Sequence, residues 1–204
     1  MKTHFIFRML WRSSFLRGGA IALVVMAGSG HAFCGEIHIA AKNGDLGKVK
    51  MLVQADPGLI SSTDDQGDTP LLVAVKSHHR DIVAFLVAHK ANVNAKGKDE
   101  SFVLGDGTGT GKSLGGTPLL WAAQSGDKDL VHLLLTNGAD VNAANNGGWM
   151  PLNWAARDGG QEEVEYLLAR NAAINATNND GDTPLHLASA PGVARILRQH
   201  GGRE

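Results

Sequence analysis

The stretch Gly115–Ala143, GGTPLLWAAQSGDKDLVHLLLTNGADVNA, decides the fold. Thr117 followed by Pro118 marks a helix start. The threonine hydroxyl accepts a bond from an otherwise orphaned N–H of the first turn, and proline at the first helical position gives up an N–H that lacks a partner there. A short helix follows, then a turn, then a second helix whose Leu130, Leu133 and Leu134 fall at helical spacing. Gly138 closes it where a left-handed conformation is wanted. One such helix–turn–helix unit cannot bury its apolar faces alone, so it needs neighbours of the same kind.

The chain supplies them. DQGDTPLLVAVKSHHRDIVAFLVAHKANVNA runs from Asp65 to Ala95, NGGWMPLNWAARDGGQEEVEYLLARNAAINA from Asn146 to Ala176, and NDGDTPLHLASAPGVARILRQHGG from Asn179 to Gly202. A degenerate first copy, EIHIAAKNGDLGKVKMLVQADPGLI, spans Glu36 to Ile60. Pro118, Pro151 and Pro184 are spaced by 33 residues, and Pro70 to Pro118 by 48, one period plus an insertion of 15. Thr69, Thr117 and Thr183 are the predicted caps, and Met150 removes that cap from the fourth copy. Second-helix spacing recurs at Ile82, Phe85 and Leu86 and at Val164, Leu167 and Leu168. Gly201 ends the last unit, Asn171 tolerates the left-handed position, and Lys90 does so less readily, marking the second copy as the strained one.

The period together with the TPL..A and GADVNA signatures resembles the ankyrin-repeat family over nearly all of the chain after residue 35. The resemblance implies an all-α repeat solenoid, a stack of helix–turn–helix units joined by β-hairpin loops. The expected organisation is a cleaved signal at 1–32 and a repeat domain at 33–204. Its copies fall at 36–64, 65–96, 115–144, 145–177 and 178–202, with a Gly-rich inserted loop at 97–114. End copies need polar outer faces. Lys42, Lys48 and Lys50 are expected to supply one, and Arg195, Arg198, Gln199 and His200 the other.

The N-terminus reads as an export signal. Lys2, Arg8, Arg12 and Arg17 make a positive region without acids, AIALVVMAG (Ala20–Gly28) is a short apolar core, and Gly30 and Ala32 are small residues at the positions a signal peptidase reads. A retained anchor is the rival. The uncharged stretch Gly18–Phe33 has 16 residues, fewer than the roughly 20 a spanning helix needs. Cleavage would leave 15 basic against 20 acidic residues, a mildly acidic domain ill suited to nucleic acid. The single cysteine, Cys34, excludes an internal disulfide. Phe33 before it argues against lipidation, since bacterial lipoproteins resemble one another in having a small residue there. The expected location is periplasmic or secreted.

GDGTGTGKS (Gly105–Ser113) suggests a phosphate-binding loop and hence a nucleotide-binding enzyme. The required first glycine falls at Asp106, whose carboxylate repels phosphate. The following helix starts too late, only after Thr117, for its N-terminus to face an anion. The alternative is an extended loop with turn chemistry at its tip, in which SFVL and TGKSL pair as a lengthened hairpin or the glycines leave it mobile. Phe102, Val103 and Leu104 are costly to leave wet, which makes Phe102 a candidate partner contact.

Nine histidines are present without a metal-ligand arrangement: His78 and His79 are adjacent and point apart on a helix. No nucleophile motif is found. Neither a catalytic residue, a metal, a nucleotide nor another cofactor is expected. His186 in TPLH resembles the family's structural hydrogen-bonder linking repeats. The resemblance further implies that a protein partner binds at hairpin tips and on first helices lining a concave face. Carried over by position, the tips give Gln66, Asp68, Gly147, Trp149, Asp180 and Asp182, and the first helices give Lys76, Ser77, Gln124, Ser125, Arg157 and Asp158. Trp149 stands at an exposed tip free of core duty, or folds over its own neighbouring hairpin. Trp121 and Trp154, one repeat apart, form an aromatic ladder or pack between repeats. The expectation is a monomeric, non-catalytic scaffold of the bacterial envelope, with a membrane-anchored scaffold as the alternative.

Overall fold

The computed structural model describes residues 31–98, 100–103, 110–113 and 115–204; for 31–34, 100–103 and 110–113 only the backbone is described. Residues 1–30 of the expected signal at 1–32, the loop tip and the Phe102 side chain lie outside it.

Helices come in pairs: α1 (His31–Asn43) with α2 (Leu46–Ala55), α3 (Pro70–Lys76) with α4 (Arg80–Ala88), α5 (Pro118–Gln124) with α6 (Lys128–Thr136), α7 (Pro151–Asp158) with α8 (Gln161–Leu168), and α9 (Pro184–Leu187) with α10 (Pro191–Gln199). A 3₁₀ turn, Pro57–Ser61, follows α2. First helices pack in series, α1 on α3, α3 on α5, α5 on α7 and α7 on α9. Ala74, Ala122 and Ala155 occupy the same place in successive first helices and are buried, so the backbones can approach closely. Leu71, Leu119 and Leu152 are buried beside them, each contributing about 1.5–3 kcal/mol. The result is one continuous apolar core from Ile37 to Leu197.

The caps fall where the threonines stand. The Oγ1 atoms of Thr69, Thr117 and Thr183 accept from the N–H groups of Leu72, Leu120 and His186. Met150 supplies no such cap. Asn153, buried in the first turn, compensates in reverse: its Oδ1 accepts the Met150 N–H at 2.9 Å. The second helices α4, α6, α8 and α10 end in left-handed residues Lys90, Gly138, Asn171 and Gly201, with φ of 68°, 87°, 64° and 89°. Between paired helices the same conformation falls to Gly44, Gly126 and Gly159, but in the second repeat to His78, φ 59°. The second repeat therefore holds two non-glycine residues in a conformation L side chains resist.

The insertion forms a two-stranded antiparallel ribbon, β1 (Glu100–Val103) and β2 (Thr110–Ser113), with Phe102 opposite Gly111 and Ser101 opposite Lys112. Gly111, Lys112 and Ser113 are thus strand residues. They do not open a helix, the placement a phosphate loop asks of these residues. A bridge between Gly97 and Gly116 closes the ribbon's base. Gly97 cannot be replaced cheaply, because a Cβ there would collide with the Asp68 carboxylate.

Two expectations need correction. The first repeat's outer surface is not purely polar: beside its lysines, Ile39 is 57% and Met51 51% exposed. Among the described residues His186 makes no hydrogen bond to another repeat; its Nδ1 faces Thr183 of its own helix start. An asparagine in each VNA or INA segment does link repeats. Asn94 Nδ2 donates to the Gly138 carbonyl and Asn94 Oδ1 accepts from the Asp140 N–H. Asn142 clasps Asn171 and Ala173 in the same way, and Asn175 clasps Gly201 and Arg203.

Candidate interaction surface

Three hairpin tips are each built by one residue that folds its side chain over the turn. Asp64 Oδ1 accepts the N–H groups of Gln66 and Asp68, Asn145 Oδ1 those of Gly147 and Trp149, and Asn178 Oδ1 those of Asp180 and Asp182. A glycine with positive φ completes each turn: Gly67, Gly148 and Gly181. Neighbouring tips are tied together, with Asn179 N–H donating to the Gly147 carbonyl. The side chains flanking each tip are thereby aimed at the first-helix layer from fixed positions.

Two clusters result. The first lies across repeats one and two, where Gln66, Asp68, Lys76 and Ser77 meet His38 and Lys42 around a cleft of about 360 Å³. Four of the sequence-nominated residues converge there. Two have a different role from the expected one. Asp68 is only 1% exposed, and its carboxylate pairs with the Lys76 ammonium at 2.6 Å. That ammonium also stands 4.6 Å from the Trp121 ring centroid. Asp68 is therefore a buried strut, not a free contact. Lys76 is half-buried, with its charge turned inward, because an ionised carboxylate in the interior needs a paired cation.

The second cluster sits on repeat four. Trp149 is not a free tip residue: it is half-buried and packs against Trp154, ring centroids 4.6 Å apart and planes tilted by 35°. The Arg157 guanidinium lies 5.5 Å from each of the two ring centroids. Trp149 comes from the hairpin and Trp154 and Arg157 from α7, so the hairpin and the helix build one platform. Trp121 and Trp154 pack at the edge of the core. Each also lies near a cation: Lys76 of the preceding repeat for Trp121, and Arg157 of the same helix for Trp154.

The remaining candidates are spread between and beyond these clusters. Gln124 and Ser125 are exposed at the end of α5, where Ser125 Oγ donates to the Ala122 carbonyl. Asp158 is exposed at the end of α7, Asp180 is exposed at the last tip, and Asp182 is half-buried there. Phe102 lies on β1, its side chain outside the described residues. Trp154, His38 and Lys42 were not nominated. The sequence offers Trp154 as a rung of an aromatic ladder with Trp121 or as packing between repeats, not as a partner of Trp149, and nothing local in it brings α1 to the second hairpin. Among the described residues no group of three or more His, Cys, Asp or Glu side chains is placed to hold a metal ion.

A stack of paired helices with a row of ordered hairpin tips beside its first-helix layer defines a helical repeat protein with an extended interaction face. The family described as ankyrin repeats (3 copies) matches residues 37–145 and again residues 119–203, and the chain belongs to it. Ankyrin repeats are generally protein–protein interaction modules.

Proposed function

We propose that this chain is an exported, non-catalytic scaffold that holds a protein partner against its tip and first-helix side, with the Trp149–Trp154–Arg157 platform as anchor. That platform is the observation that carries the reading. Tryptophan and arginine dominate binding energy at interfaces because a rigid aromatic surface loses little entropy on contact and a guanidinium offers several donors. Arg157 is exposed yet held over two rings, so it presents its donors from a defined place. The cleft at Gln66 and Ser77 offers a second, polar contact on the same side.

Export rests on the basic, acid-free N-terminus, its short apolar core and the small residues at Gly30 and Ala32. Among the described residues no helix is long and apolar enough to cross a membrane. Intact-mass measurement of the protein recovered from the envelope tests this part. A mass lacking the first 32 residues, without added lipid, is expected; a full-length or lipid-modified mass favours the anchored scaffold instead. For binding, a partner captured from envelope extract should be retained by the wild-type chain and lost by Trp149→Ala and Arg157→Ala chains that remain folded.

A further inference from the structure

Aligning the second helices exposes a misfit. The place held by Ile82 in α4, Leu130 in α6 and Val193 in α10, all 0% exposed, is held in α8 by Glu163. The glutamate follows its apolar counterparts inward and is only 5% exposed. Its Oε1 is buried, and among the described residues no donor reaches it. Three residues into a helix, a glutamate ordinarily accepts the N-cap N–H. Here that donor, Gly160 N–H, is turned to the Ala155 carbonyl.

A cleft of about 200 Å³ opens beside Glu163 between α6 and α8, lined by Lys128, His132, Glu162 and Tyr166. It is spanned on one side by His132 stacked on Tyr166, centroids 3.5 Å apart. From α6 the titratable neighbours are Lys128, His132 and the N-cap Asp127; from the end of α7, Asp158; from α8 itself, Glu162 and Tyr166. The nearby cation, Lys128, is held by Glu162 at 2.5 Å. On α10, Arg195 and Arg198 are exposed, and Arg198 pairs with Glu204.

We propose that Glu163 is a pH-sensitive device in the joint between repeats three and four: its carboxyl, seated in a core position beside a water-accessible cleft, holds the joint closed when neutral and loosens it when ionised. A neutral carboxyl fits an apolar seat far better than a carboxylate, which faces Asp158 and Asp127 without a donor. Burial above all, reinforced by Asp158 and opposed by Lys128, pushes this carboxyl up to about 7. In the unfolded chain it returns to its ordinary value of 4.5. Below that value both states carry the proton and the joint keeps its full stability. As pH rises from there through the folded value, the unfolded chain releases its proton first and stability falls; above it the loss is complete. The device is intramolecular and independent of any partner.

The test uses the full chain, as wild type, Glu163→Leu and Glu163→Gln. Carbon-13 NMR of the Glu163 carboxyl, assigned by its absence in the variants, should show a titration midpoint near neutrality. In urea denaturation the wild-type unfolding constant should rise about thirtyfold relative to Glu163→Leu between pH 5.5 and 8. If the leucine variant does not fold, Glu163→Gln supplies the comparison. A carboxyl midpoint below pH 5.5, or wild-type and variant unfolding constants that change in parallel with pH, overturns the proposal.

Discussion

The Lys76 ammonium lies 2.6 Å from Asp68 Oδ2, joining the base of a hairpin to the end of the helix it precedes. Lys76→Met strips a buried carboxylate of its cation and should destabilise the chain by about 3 kcal/mol. Lys42→Met, at an exposed lysine of the same cleft, should stay within about 0.5 kcal/mol of the wild type. Urea denaturation of the two variants checks the contrast; equal effects would mean that the Asp68–Lys76 pair is not a structural strut.

Glycine substitution at Lys90 and alanine substitution at Gly138 should act with opposite signs, because both positions end a second helix with positive φ. Lys90→Gly relieves a left-handed lysine and should stabilise by about 0.5–1 kcal/mol. Gly138→Ala imposes the same strain and should destabilise by about 1 kcal/mol. Thermal melts of the two variants decide it.

Met150→Thr restores the cap that repeats two, three and five possess. It should stabilise by about 0.5–1 kcal/mol, read from the urea midpoint. The gain falls at the low end if the Asn153 bond to the Met150 N–H must be given up to make room for the new cap.

Asn142→Ala removes the two hydrogen bonds that its side chain makes from repeat three to repeat four. A loss of about 1–2 kcal/mol is expected, with faster amide exchange in Ala173, whose N–H loses its acceptor. Unchanged exchange at Ala173 would show that the asparagine bridge is not what joins these repeats.

Much of this was readable from periodicity. The prolines gave the 33-residue register, the threonines the caps and the glycines the helix ends, because each is a local requirement of backbone geometry. The paired strands were one of two readings of the insertion: its turn and strand chemistry allows a ribbon, and the same glycines allow a mobile loop. What escaped depended on contacts across repeats. Asp68 looked like a tip residue because nothing beside it reveals that Lys76 and Gly97 close over it. Trp149 looked free because Trp154, five residues away, folds back from a helix. The asparagine of VNA was quoted as a signature without its mechanism, since its partners lie in the next copy. Glu163 is different. Its misfit was visible once α8 was set in register with Ile82 and Leu130, but an acid on an exposed-looking EEVE run draws no attention until the position is known to be buried.

The most direct test of the account is quantitative capture of an envelope partner by four chains: wild type, Trp149→Ala, Arg157→Ala, and Arg195→Ala as a control on a second helix away from the platform. Circular dichroism melts first establish that all four are folded. The account predicts that the partner bound by the wild type and by Arg195→Ala is lost at least tenfold from both platform variants. A partner held equally well by Trp149→Ala and Arg157→Ala would contradict it.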